Sequence, residues 1–503
     1  MIRAGVGAGV AALSLLLSAC SGPTESPEQP DASPSSTATG SPDAGDSPAT
    51  EGSPVVSDRV EPDLDLALSE PVEDSVYPEV GGPGIDALLY DLDLSWEPEQ
   101  RTLTGTATIT FRAARSARKV TLDLAAPLEV ESVTVDGEQA AYKHRGKDLV
   151  VRQRVAEDDR HELVVSYAGQ PQPIPAPTTR SDLSTVGLTV TDTGAVWTMQ
   201  EPYGAHTWYP VNDQPADKAL YDITVSVPDP WTGVANGRLV EDTTADGVHT
   251  TAWQLDEPAS SYLLTLAIDD YEHSSDSSAS GVRLDYWFPR GRRAVLTDMQ
   301  AAAGGVDWIE DRLGPYPFSS AGIVLVDSES AMETQTMVTI GDNDYVRSPA
   351  VIVHELVHQW YGDQVSPADW RDVWLNEGMT MLMQGLWEAD EAGAPIEATM
   401  SRWRAADQTL RDDFGPPGAY DEAQFGSSNI YYSPALMWNE LRVELGDEEF
   451  FRVARSWLEA QDNESVTRNE LYAHWEGETG LELTRFFAAW IDGSTTPPRG
   501  LLG

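Results

Sequence analysis

The 503-residue chain carries 82 acidic against 32 basic side chains, a formal net charge of −50, so it has no basic footprint for phosphates and a nucleic-acid-binding role is excluded. Its 41% hydrophobic content, with 16 tryptophans, suffices for two folded domains with sizeable cores. The single cysteine, Cys20, rules out an intrachain disulfide.

In chain order, Arg3 gives a short positive region and Gly5 to Leu17 an apolar one, too short for a comfortable membrane span. Leu17-Ser18-Ala19-Cys20 then resembles the lipobox of bacterial lipoproteins. This predicts a signal peptide over 1–19, lipidation of Cys20, and export to the outer face of a bacterial cell membrane. Residues 20–78 are acidic and rich in Ser and Pro. Such composition buries too little surface to fold, which predicts a disordered tether.

From 79 to 289 the pattern is of strands. Thr104 to Phe111, Val120 to Leu124, Leu163 to Tyr167, Tyr221 to Val227 and Tyr262 to Ile268 alternate in period two between Gly, Pro and Asp turns, which predicts an all-β domain. After Pro289 the period changes and a mainly helical domain is predicted over 290–503. Arg293 to Leu313 reads as a helix and Ile323 to Val326 as a strand. Helices dominate from Pro349 onward, including Ala435 to Leu445 and Glu448 to Ala460.

Within that half stands His354-Glu355-Leu356-Val357-His358. Helical positions i and i+4 share a face, so both imidazoles can present a nitrogen to one ion. Glu355 lies about 100° around the helix, where it reaches a water beside the metal rather than the metal itself. Ser348-Pro349 reads as N-cap and first-turn proline, and Gly362 as a stop. Glu377, in Asn376-Glu377-Gly378 on a second apolar helical run through Trp387, supplies a carboxylate. Two His and one Glu form the ligand set of a catalytic zinc site with its fourth position open. One Zn2+ is the expected cofactor, although cobalt or manganese suits similar ligands. The other six histidines are scattered singly and read as surface or satisfied groups.

These residues resemble the M1 family of zinc aminopeptidases, the gluzincins with HExxH-x18-E. His358-Gln359-Trp360-Tyr361-Gly362-Asp363 is similar to the family's HQWFGN, and Trp370 through Gly378 to its WxDLWLNEG. Ser330-Ala331-Met332-Glu333-Thr334 resembles the GAMEN exopeptidase motif. Trp208 through Pro215, then Lys218-Ala219, resembles FPCFDEP-x-x-KA, and Tyr431-Tyr432-Ser433-Pro434-Ala435 falls where the family carries Y-x-K-G-A. The likeness spans residues 85 to 495. It departs from the family at Ser330, Thr334, Met379, Thr380, Ser433 and Pro434.

The resemblance implies a saddle-like all-β domain followed by a thermolysin-like catalytic domain, in a short form without the helical C-terminal domain of longer members. It implies that Glu355 is the general base and that Tyr431, with Tyr432 as its rival, donates to the oxyanion. Glu333, and Glu201 on a loop from the β domain, would hold a free α-ammonium, with Ala331 and Met332 forming an edge for the substrate backbone. Asp372 is left open between an acceptor for a ligand histidine and a helix cap. The expected activity is release of N-terminal residues from peptides with a free N-terminus. A zinc endopeptidase and a silent peptide-binding surface lipoprotein are the alternatives. Peptides blocked or free at the N-terminus separate the two enzymes, and hydrolysis with and without a chelator separates both from the binding protein.

Overall fold

The computed structural model describes residues 54–502. The predicted signal peptide, Cys20 and the first part of the tether lie outside the described residues. Among the described residues no helix is long and apolar enough to cross a membrane.

The β part is built on an eight-stranded sheet. Asp86–Glu97 lies near its middle, antiparallel to Thr102–Arg112 and parallel to Lys218–Pro228. Alternation is visible in the burial of Leu103, Ala107, Ile109 and Phe111 along one face of the Thr102–Arg112 strand, which sends the intervening threonines outward. A five-stranded sheet, which includes Thr185–Val190, Val196–Met199 and Leu266–Asp269, adds to the same core with Trp96, Tyr167 and Trp208.

Three expectations are corrected. Residues 54–78 were expected in a disordered tether, yet this strip packs on the β part. Ser57 N donates to Leu239 O on the outermost strand of the eight-stranded sheet (2.8 Å), Arg59 pairs with Asp222 (2.7 Å), and Ala67 buries against Leu88 and Leu220. Composition weighs apolar content alone, whereas this strip is held by a backbone bond to the edge strand and by an ion pair and apolar contacts to strands further in. Tyr262 to Ile268 is not one strand: Ser261–Leu263 is a 3-10 turn and the strand is only Leu266–Asp269. Tyr271–Ser277 and Arg283–Pro289, assigned to the β domain, instead join a second five-stranded sheet with Ala321–Val326, Val338–Gly341 and, at its end, Ala331–Met332. Period-two patterning identifies a strand and says nothing of its sheet.

The helical part runs α1 (Leu296–Met299), α2 (Ala301–Leu313), α3 (Pro349–His358), α4 (Trp374–Glu391), α5 (Glu397–Phe414), α6 (Ser428–Leu445), α7 (Asp447–Ala460), α8 (Arg468–Thr479) and α9 (Thr484–Ile491). The helix expected over Arg293 to Leu313 is broken at Gln300. The α6 helix starts seven residues before the expected Ala435 because it runs through Pro434. That proline rests on α4 where Gly378 offers no side chain: a Cβ there would lie 2.5 Å from Pro434 Cβ. The NEG glycine therefore sets how closely α6 approaches the helix that carries Glu377.

Lys218 anchors the β part to the turn after α3. It is 1% exposed and its Nζ donates to the carbonyls of Asp363 (2.8 Å) and Gln364 (3.0 Å). Lys218→Met is expected to cost about 2–4 kcal/mol, since it leaves one buried and one half-buried acceptor unmet. Burial, offset by Asp363, pushes the Lys218 amine down to about 7. The folded state therefore releases this proton above pH 7 while the unfolded chain keeps it, so wild-type stability gains from this group between about pH 7 and 10. Denaturant midpoints of wild type and Lys218→Met should diverge over that window. A constant difference would count against the lowered Lys218 pKa.

Candidate metal centre and active site

The α3 and α4 helices pack together and bring three donors to one point. His354 Nε2 and His358 Nε2 are 3.3 Å apart, and each is 3.5 Å from Glu377 Oε2. His358 and Glu377 are buried, and His354 keeps a small opening to solvent. Donors on a tetrahedral zinc, with bonds of about 2.0–2.1 Å, are separated by about 3.3–3.4 Å, the same spacing as this triangle.

The tautomers support a cation at that point. His358 Nδ1 faces the carbonyl of Tyr361 (3.0 Å), which can only accept, so Nδ1 carries the hydrogen and Nε2 a lone pair. His354 Nδ1 faces Gln384 Oε1 (3.0 Å), an orientation fixed because Gln384 Nε2 donates to Glu388 (3.1 Å). Two lone pairs and a carboxylate oxygen thus converge, and Glu377 Oε2 is buried without a hydrogen-bond partner. Such a set repels itself without a positive charge at its centre. Burial disfavours charge on His358, but the carboxylates of Glu333 and Glu377 outweigh it and hold its pKa well above the usual imidazole value. The donor set fits one Zn2+.

More carboxylates surround the triangle. Oxygens of Glu333 and Glu355 come within 4.8 Å of each other and of a His358 nitrogen, and oxygens of Glu201, Glu333 and Glu377 within the same distance of one another. Burial, then the charge of Glu333, pushes Glu355 up to about 8. Burial, then Glu333 and Glu377, pushes Glu201 well above the ordinary carboxylate range. Glu201 Oε1 and Glu333 Oε1 are buried without hydrogen-bond partners. The pocket is rich in acceptors and suits a cationic group.

The β part aims Glu201. The buried Asp213 carboxylate accepts from Gly204 N (2.9 Å), His206 Nδ1 (2.7 Å) and Ser261 Oγ (2.8 Å), which pins the loop after Glu201. Trp208 Nε1 donates to Gln200 Oε1 (2.9 Å). The Trp208 to Pro215 block therefore acts as a scaffold for this loop. Tyr262 Oη donates to Gly362 O (3.0 Å) and accepts from Asn376 Nδ2 (3.4 Å), which braces the ends of both ligand helices.

Of the remaining sequence-predicted residues, Ala331 and Met332 form the outermost strand of their sheet, paired on one side with Val338–Gly341. Tyr431 stacks over His354 with ring centroids 6.3 Å apart, whereas Tyr432 stacks on Trp403. Asp372 turns away from the centre to Arg468 (2.5 Å) and Trp374 Nε1 (3.3 Å), so it serves neither ligand histidine. The α3 helix ends at His358, capped by Gln359, rather than at Gly362, whose φ of +135° belongs to the turn beyond. Sequence reasoning missed Gln384 and Arg180. Gln384 lies seven residues after Glu377 on α4, so helical periodicity alone would place it on the ligand face. Arg180 stands in a polar loop whose composition carries no signal.

Comparison with known proteins agrees with this geometry. The Peptidase M1 N-terminal domain matches residues 87–263 and the Peptidase family M1 domain residues 298–490. Aminopeptidase N of Streptomyces lividans is 25% identical over 457 residues, covering 81% of this chain and 50% of that protein. Probable aminopeptidase 1 of Sulfurisphaera tokodaii is 24% identical, covering 74% and 49%. The chain spans about half the length of these relatives. The crystal structure of an M1 zinc metallopeptidase from Deinococcus radiodurans aligns with a TM-score of 0.77 at 26% identity, over 85% of this chain and 99% of that one. A variant of it, bound to a Tyr-Ser-Ala substrate, aligns with a TM-score of 0.76. With a β-rich M1 N-terminal domain followed by a helical peptidase domain, this chain belongs to the M1 peptidase family.

Proposed function

We propose that this protein is a zinc aminopeptidase that cleaves the first peptide bond of peptides with a free N-terminus. The observation that carries the reading is the convergence of Glu201 and Glu333 beside the His354–His358–Glu377 triangle. A substrate α-ammonium satisfies those two unpartnered carboxylates, and an internal peptide segment brings no charge to pair with them. The relatives named aminopeptidase and the neighbour holding Tyr-Ser-Ala support it.

When bound by His354, His358 and Glu377, zinc supplies an acidified water and polarises the scissile carbonyl. Glu355 takes a proton from the attacking water and returns it to the leaving amine nitrogen. The Tyr431 hydroxyl donates to the oxyanion as it develops. Ala331 and Met332 offer the free edge of their strand to the substrate backbone. Lipidation at Cys20 and export would hold this activity on the outer face of a bacterial cell membrane, which fatty-acid labelling of wild type against Cys20→Ser tests.

The deciding assay compares aminoacyl reporter amides with free and acetylated amines on wild type and Glu333→Ala. The free amines should be hydrolysed and the acetylated ones spared. Glu333→Ala should lower kcat/KM for free amines by about 10- to 100-fold, the worth of a hydrogen bond to a charged group. Equal loss on both kinds of substrate would remove the exopeptidase assignment.

A further inference from the structure

The loop after the Ile174–Pro175 strand carries the β part to the start of α6. Three hydrogen bonds seam it to the turn before that helix. Phe425 N donates to Pro177 O (3.0 Å), Thr178 Oγ1 to Phe425 O (2.6 Å), and Thr179 Oγ1 to Gln424 Oε1 (2.8 Å). The next residue is Arg180. Its Nε and Nη2 form a fork on the two carboxylate oxygens of Asp182, at 3.2 and 2.5 Å. This fixes the plane of the guanidinium and directs Nη1 at Tyr431 Oη, 3.2 Å away. Ser330 Oγ donates to the same Asp182 carboxylate (3.2 Å), which ties the Ala331–Met332 edge into the network. Gly426, with φ of +66°, leaves the space: a Cβ there would lie 3.2 Å from Arg180 Nη1 and 3.8 Å from Tyr431 Oη.

A guanidinium has donors and no acceptor, so the Tyr431 oxygen accepts in this bond. A phenolic hydrogen prefers the plane of its ring, on one side of the oxygen or the other. A donor occupying one side sends the hydrogen to the other. We propose that Arg180 is a positioning residue for Tyr431, fixing its hydroxyl as a donor on the side away from the guanidinium, so that the β domain completes the catalytic tyrosine of the peptidase domain. The proposal rests on Tyr431 donating to the oxyanion. Held in this way, the hydroxyl needs no reorientation when charge develops on the substrate, which is the requirement for electrostatic stabilisation of a transition state.

The test is a double-mutant cycle on the zinc-loaded, full chain: wild type, Arg180→Met, Tyr431→Phe and the pair. Two readouts are taken, hydrolysis of a leucyl reporter amide and calorimetric binding of the phosphonic acid analogue of leucine, whose anionic oxygens mimic the tetrahedral state. Arg180→Met should lower kcat about 10- to 100-fold with KM within about twofold, the pattern of an interaction made in the transition state. The double variant should be no slower than Tyr431→Phe alone, because Arg180 acts only through the hydroxyl. Phosphonate affinity should show the same non-additivity, and Arg180→Lys should recover part of the loss. Losses that multiply, an effect on KM alone, or an unchanged kcat would overturn the proposal. Should Arg180→Met fail to fold, Arg180→Lys takes its place in the cycle with a smaller loss of the same sign, since an ammonium lacks the planar fork that aims one donor at Tyr431 while two hold Asp182. A zinc-loaded wild type that binds the phosphonate and hydrolyses nothing would remove the peptidase reading, and the phosphonate cycle would still decide the role of Arg180.

Discussion

Glu355→Gln is expected to retain zinc and to lose turnover by about 10²–10⁴-fold, the range for removing a positioned general base. The substitution conserves volume in a site where Glu355 is 7% exposed, so packing is preserved and only proton transfer is withdrawn. Glu355 lies outside the triangle of His354, His358 and Glu377, which explains why metal content should stand while rate falls. Metal analysis of the purified variant alongside kcat on an aminoacyl reporter separates these quantities. Activity within about threefold of wild type, with full zinc, would assign the base elsewhere.

The metal ligands were legible because a helix converts spacing into direction. His354 and His358 share a face of α3 by arithmetic alone, and Glu377 follows on a helix whose apolar stripe packs against α3. Glu201 and Glu333 were found only through resemblance, since nothing local in a strand or loop tells which carboxylate points into a pocket. Arg180 was not legible at all. Its partner Tyr431 is 251 residues away, and its polar loop reads like any other turn. The strip from 54 to 78 failed for the opposite reason. Its composition describes a chain that cannot make its own core, and it has none, but it borrows the edge and interior strands of a sheet built by residues far along the sequence. Pro434 shows a third limit: a proline lowers the prior for a helix locally, while the fit of its ring over Gly378 belongs to the packing of two helices.

Glu377→Ala should remove the metal itself. Two neutral imidazoles remain, and the one anionic ligand of the triangle is gone. The variant should purify with little zinc and should match the rate of chelated wild type. Stability gives a readout free of activity. A ligand that binds only the folded state adds about 4 kcal/mol at a thousand times its Kd, so wild type should melt higher with zinc than after chelation. Glu377→Ala should melt at one temperature under both conditions. Without metal, burial alone would raise the Glu377 pKa, yet His358 and His354 hold it far below the ordinary carboxylate range. That ionised carboxylate is the partner His358 depends on when the metal is absent, so the variant should also melt below chelated wild type. A zinc-dependent rise in melting temperature that survives undiminished in Glu377→Ala would place the ion on other residues, and with it the chemistry assigned to Glu355 and Tyr431.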